Sequence, residues 1–211
     1  MGEMMQQFIT ARILVFGDSI AYGAWDSEGG WVERLKRYAH TQTVKTQGDA
    51  KLQVINLGIG GDTSAAILAR IESEITARYS SNWPFMFVLS VGTNDGREKD
   101  GTPEITADEY RQNLHRIFEI LQTFTNDVIV LGLPPLGVAE LTFKNTIYRD
   151  ATIQQYDEIL KEAATNHSAP YIDTRAHFAG KENLFAFDDL HPNDKGHELI
   201  ASLIQRYLEA R

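Results

Sequence analysis

The chain has 211 residues, enough for one domain over 1–211 with a sizeable buried core. Lys and Arg number 20 against 29 Asp and Glu, and a net charge of -9 excludes a basic footprint for nucleic acid and disfavours an anionic membrane surface. With no cysteine, disulfides, thiolate catalysis and cysteine-held metals are excluded as well.

Residues 1–10 carry no basic region followed by an apolar one, so the chain as it stands reads as cytoplasmic. A secreted form whose signal had been removed would read the same. No apolar run approaches the ~20 residues of a membrane-spanning helix.

In chain order, residues 12–16 (RILVF) form a short β-branched run that stops at Gly17 and leads into Gly17-Asp18-Ser19. Trp31 then reads as packing a first helix, while Tyr22 and Trp25 are candidates to line an acyl pocket. A second strand, 52–57, ends at Gly58-Ile59-Gly60-Gly61-Asp62. The helix expected over 63–78 carries Ile67, Ile71 and Ile75 at a spacing of four, with Asp62 as its candidate cap. A third strand, 85–91, runs into Gly92-Thr93-Asn94-Asp95. The helix expected over 106–125 opens on a capping-box pattern, Thr106 with Glu109. Strand 128–131 is followed by Leu133-Pro134-Pro135-Leu136-Gly137, which reads equally as a plain connection or as a rim loop. A helix is expected over 145–166 and a weak fifth strand over 170–172. Asp188-Asp189-Leu190-His191-Pro192 precedes a last helix over 197–208.

Near-continuous apolar strands alternating with amphipathic helices predict an α/β fold, a three-layer α/β/α sandwich around a five-stranded parallel sheet. Such sheets place their sites beyond the carboxyl ends of the strands. Four polar segments fall at strand ends or at the entry to the last helix. Each has an ordinary reading when taken alone. Ser19 suits a cap or turn, Gly60 and Gly61 suit positive φ, Asn94 suits a turn and His191 suits a loop. Together they supply a nucleophile, a base, an orienting carboxylate and oxyanion donors, which is the set that acyl transfer needs.

These segments resemble the four blocks of the GDSL/SGNH hydrolase family: Ser19 in FGDSIAYG, Gly61 in GIGGDTS, Asn94 in VGTND and His191 in DDLHPN. The blocks stand in the family's order and span nearly the whole chain. Ile20 stands where the family's first block often has Leu. The resemblance implies a flavodoxin-like SGNH fold and a serine esterase. Ser19 would be the nucleophile and His191 its base, with Asp188 orienting the imidazole and Asp189 as the rival. The backbone N–H groups of Ser19 and Gly61 and the Asn94 side chain would form the oxyanion hole, with Gly60 as the neighbour alternative to Gly61. The substrates implied are short-chain acyl esters, extending to thioesters and lysophospholipids, or sugar acetates. No cofactor or metal is implied, and the partner implied is a small-molecule ester, with the oligomeric state left open.

The chain lacks G-x-S-x-G, which disfavours the α/β-hydrolase fold, and lacks a phosphate-binding P-loop. A non-catalytic ligand-binding domain has no need of base, orienter and oxyanion donors together. His197 lies six residues after His191, a spacing that does not stack two ligands on one helical face. His40, His115, His167 and His177 read as surface or structural.

Overall fold

The structure, a computed structural model, describes residues 10–211; residues 1–9, which carry most of the leader reading, lie outside the described residues. In chain order the elements are β1 (Thr10–Gly17), α1 (Ser19–Tyr22), α2 (Gly30–Lys45), β2 (Lys51–Gly58), α3 (Ser64–Thr76), β3 (Phe85–Ser90), β4 (Glu98–Lys99), β5 (Thr102–Pro103), α4 (Ala107–Phe124), β6 (Val128–Leu131), β7 (Glu140–Phe143), β8 (Thr146–Arg149), α5 (Asp150–Asn166), β9 (Tyr171–Ile172), α6 (Thr174–Phe178) and α7 (Asp194–Glu209). A 3₁₀ turn at Glu182–Leu184 precedes the last helix.

Five strands form one parallel sheet in the order β2-β1-β3-β6-β9. Side chains alternate across it with the period of two that a strand imposes. Leu14 and Phe16 of β1, with Phe85, Phe87 and Leu89 of β3, pack against α3, α4 and α5. Ile13 and Val15, with Met86 and Val88, face the other way onto α2 and α7. Both faces are therefore dry, and all six residues of β3 are buried. This is the expected α/β/α sandwich. Trp31 is fully buried in α2, as the packing reading has it.

Cross-strand register aligns Gly17 of β1 with both Gly58 of β2 and Ser90 of β3. The three segments that leave these strands thus start at the same height on one rim. Gly58 permits a close approach there, because a Cβ would come within 2.4 Å of the Tyr22 nitrogen in α1.

Two expectations need correction. The helix expected from residue 145 begins at Asp150. Residues 146–149 instead form β8, which pairs antiparallel with β7 around a turn in which Lys144 takes φ +58°. Thr146, Ile147 and Tyr148 are β-branched or aromatic, and a pairing partner five residues upstream outweighs the helical periodicity that follows. With β4 and β5 they make a second, four-stranded sheet in the order β5-β4-β8-β7, absent from the sequence reading. The second correction concerns Asp62. The cap of α3 is Thr63, whose hydroxyl accepts from the Ala66 N–H, while Asp62 pairs with Arg70 at 2.7 Å. The capping box of α4 forms as expected, with Thr106 and Glu109 bonded reciprocally.

Candidate active site

Ser19 opens the short helix α1 immediately beyond β1. Asp18 caps that helix, its Oδ1 accepting from the Ile20 N–H at 2.9 Å. The Ser19 hydroxyl lies 2.8 Å from His191 Nε2, and His191 Nδ1 lies 2.7 Å from Asp188 Oδ2. Asp188 and His191 share the loop before α7. The other Asp188 oxygen accepts the N–H groups of Leu190 at 3.2 Å and His191 at 3.0 Å, so the three-residue spacing closes a compact turn around the carboxylate. With Oδ2 facing the ring, Nδ1 carries the proton, and neutral Nε2 is left free to accept from the Ser19 hydroxyl. Partial burial pushes the Asp188 carboxyl up, but the His191 N–H, the imidazole and Trp25 outweigh it and hold it below the usual carboxylate range.

Asp189 does not reach His191. Its backbone takes φ +54° and its carbonyl accepts from the Gly137 N–H at 2.8 Å. A Cβ on Gly137 would meet Asp189 Oδ1 at 2.8 Å. The Leu133–Gly137 segment therefore buttresses the loop that carries Asp188 and His191, and Leu133 and Leu136 are buried beneath it.

Trp25 touches this relay, a contact that the sequence did not reveal. Its indole Nε1 donates to Asp188 Oδ2 at 2.7 Å, and its ring stands edge-on to His191 with centroids 5.8 Å apart. The residue holds φ +65°, a left-handed conformation unfavourable for a bulky side chain. Phe187 packs against it with ring centroids 5.4 Å apart. Both rings remain exposed, Trp25 at 54% and Phe187 at 84%. Tyr22 lines an open groove of about 880 Å³ with Trp25, Asp26, Ser27, Glu33 and Asn56.

The second rim segment comes from β2. Gly61 takes φ +85°, which favours glycine at this position over Gly60, whose φ is not positive. A Cβ on Gly60 would lie 4.0 Å from the Ser19 Cβ, so this loop runs along the Ser19 side of the rim. Asn94, beyond β3, is 4% exposed. Its Nδ2 donates to the Asp62 carbonyl at 3.1 Å and lies 3.4 Å from Asp18 Oδ2. Its Oδ1 accepts from Arg97 at 3.2 Å and from the Tyr148 hydroxyl at 3.3 Å. The four sequence blocks thus converge on one rim.

Two buried carboxyls lie beneath them. Burial raises Asp18 to about 7, opposed by the Ile20 N–H and aided by the charge of Asp95. Burial likewise raises Asp95 to about 6, against donation from Ser64. Asp95 accepts the Ser64 N–H at 3.0 Å and also the Ser64 hydroxyl, tying the third block to the start of α3.

The remaining histidines lie elsewhere. His197 is fully buried, accepting from the Trp31 N–H at 3.3 Å and donating to the Ala24 carbonyl at 3.1 Å, which locks α7 to the start of α2. His115 and His167 are partners at 3.1 Å, with His167 stacked on Phe118. No helix of the described residues is long and apolar enough to cross a membrane.

Solved structures share this fold. A lipase/acylhydrolase from Enterococcus faecalis superposes with a TM-score of 0.72 at 24% identity, covering 95% of this chain and 96% of that one. An acetylxylan esterase from Geobacillus stearothermophilus superposes with a TM-score of 0.72 at 20% identity, covering 96% and 95%. At these identities the likeness concerns the fold. In sequence, Esterase TesA from Pseudomonas aeruginosa is 30% identical over 135 residues, covering 63% of this chain and 60% of TesA, so less than two thirds of that relative is spanned. The Geobacillus acetylxylan esterase is 26% identical over 165 residues, covering 74% of this chain and 71% of that protein. Residues 15–199 match the GDSL-like Lipase/Acylhydrolase family. The chain belongs to that family.

Proposed function

We propose that this protein hydrolyses short-chain acyl esters through an acyl-enzyme on Ser19. The observation that carries the reading is the unbroken relay from Ser19 Oγ through His191 to Asp188, with links of 2.8 and 2.7 Å. His191 takes the Ser19 proton as Oγ attacks the acyl carbon, and returns it to the leaving alcohol as the carbon–oxygen bond breaks. A water then repeats the cycle in reverse, releasing the acid and restoring Ser19. Asp188 stays ionised and supports the imidazolium that forms in each half-reaction. The N–H groups of Ser19 and Gly61 and the Asn94 amide receive the carbonyl oxygen as it becomes an anion.

The groove beside the relay supports a small acyl group on a polar alcohol. Ser27, Glu33 and Asn56 line it together with the aromatic rings, which suits a long alkyl chain poorly. A second reading, esters on a carbohydrate, is favoured by the exposed faces of Tyr22, Trp25 and Phe187, which offer flat apolar surfaces of the kind sugar rings cover. The resemblance to an acetylxylan esterase points the same way.

A fluorophosphonate probe should label Ser19 alone, and Ser19→Ala should abolish both labelling and turnover. p-Nitrophenyl acetate and butyrate should be cleaved faster than the laurate or palmitate, measured beside acetylated xylo-oligosaccharides. Labelling at another residue removes Ser19 from its role, and a preference for long chains overturns the substrate reading.

A further inference from the structure

The Asn94 carboxamide can donate to an oxyanion only if its nitrogen, and not its oxygen, faces the nucleophile's side. Nothing within Asn94 decides this, because the two ends of an amide have nearly the same shape. Its surroundings do decide it. Arg97 has donors and no acceptor, so the end of Asn94 that faces it at 3.2 Å must be the oxygen. The Tyr148 hydroxyl approaches the same oxygen at 3.3 Å. On the opposite side the Asp62 carbonyl, which only accepts, takes one Nδ2 hydrogen at 3.1 Å. The second hydrogen has no strong partner, since Asp18 Oδ2 stands off at 3.4 Å.

We propose that Arg97 and Tyr148 are positioning residues for the oxyanion hole, setting the flip of the Asn94 amide and leaving one N–H available to the reaction. The inference rests on the acyl-transfer reading above. It also gives the second sheet a purpose. Arg97 is clamped by Glu104, whose carboxylate receives two of its N–H groups at 2.5 and 2.8 Å. The next residue, Glu98, opens β4 and pairs with Ile147 of β8, beside Tyr148. Arg149 bonds Glu98 across the same pair. The sheet brings the two donors to one atom from positions 51 residues apart, counting from 97 to 148.

Arg97 also places its positive charge near the hole, with one guanidinium nitrogen 4.0 Å from where a Gly61 Cβ would be. Charge and positioning therefore have to be separated. Tyr148→Phe removes one donor without changing charge, and Arg97→Gln removes the clamp.

The test is a pair of double-mutant cycles against Asn94→Ala, with steady-state kinetics on p-nitrophenyl acetate and a thermal melt for each variant. In the native background Arg97→Gln should lower kcat about tenfold to a hundredfold and Tyr148→Phe about threefold to tenfold, with KM little changed. In the Asn94→Ala background each should cost less than about twofold further, because a positioning residue has nothing left to position. Equal losses in both backgrounds, or a loss confined to KM, overturn the proposal and make Arg97 an independent electrostatic or substrate-binding group. If Arg97→Gln melts at the assay temperature, the Tyr148→Phe cycle decides alone. If Asn94→Ala by itself keeps full kcat, the oxyanion reading of Asn94 falls and takes the proposal with it. An impaired Asn94→Ala with additive cycles removes the positioning role and spares the oxyanion one.

Discussion

Asp188 and His191 stand three residues apart on one loop, whereas the Asn94 amide is held by groups 32 and 54 residues away in the chain, with only Arg97 close by. The relay arm needs a turn whose own N–H groups bind the carboxylate. The proposed oxyanion arm needs two sheets, the segment after β2 on one side and β8 on the other. The Asp188–His191 pair is local, although the Ser19 hydroxyl it faces comes from 172 residues away, while the surroundings of Asn94 are assembled from several remote segments and are lost with any one of them. The oxyanion side should therefore be the more sensitive to substitutions outside the site.

The largest expected effect tests how local the relay is. Asp188→Asn should lower kcat about 10⁴-fold by analogy with triad orienters. Asp189→Asn should change kcat by no more than a few-fold, because that residue packs on Gly137 and does not touch the imidazole. Steady-state kinetics on the two variants decide the matter, and the reverse ranking would move the orienting role to the neighbour. Next comes the oxyanion arm. Asn94→Ala should lower kcat about 10²–10³-fold with KM little changed and the melt preserved.

A smaller effect tests whether the relay arm is wholly local. Trp25 reaches Asp188 from 163 residues away and is its one remote partner among the described residues. Trp25→Phe keeps the ring and removes the N–H. The Trp25 side is open to water, which replaces part of the lost bond, so kcat should fall only about threefold to tenfold. The carboxylate, with one donor fewer, holds the imidazolium more strongly. The acid limb of the kcat/KM profile should therefore move to higher pH. A changed kcat with an unmoved pH profile would reduce Trp25 to packing.

The smallest effect is on stability and belongs to the oxyanion side. The Asp18 carboxyl is pushed up to about 7 from an ordinary 3.8 by burial. Between those values the unfolded chain has released a proton that the folded one still holds. The stability this group contributes is thus full below pH 3.8 and is lost as pH rises toward about 7. Asp18→Asn should flatten the fall in Tm between pH 4 and 7 by a few degrees. It should not abolish the fall, because Asp95, pushed up to about 6, still titrates. Thermal melts across that range check it, and parallel curves for the two proteins would place the ionisation elsewhere.

The sequence by itself determined the strands of the main sheet, the helices α3, α4 and α7 and the four polar blocks, since these rest on periodicity, capping residues and turn chemistry within a few residues. The resemblance also pointed to Asp188 rather than its neighbour, and the structure brings Asp188 to His191 because two residues three apart can close one loop. Only the tertiary structure decided the rest. The hairpin of β7 and β8 competes with a helical pattern that continues directly into α5, and pairing partners settled it. The flip of Asn94, the contact of Trp25 with Asp188 and the burial that raises Asp18 all depend on groups brought together from distant parts of the chain. Hydrogen-bond direction and desolvation are properties of the assembled neighbourhood, and no window along the sequence contains that neighbourhood.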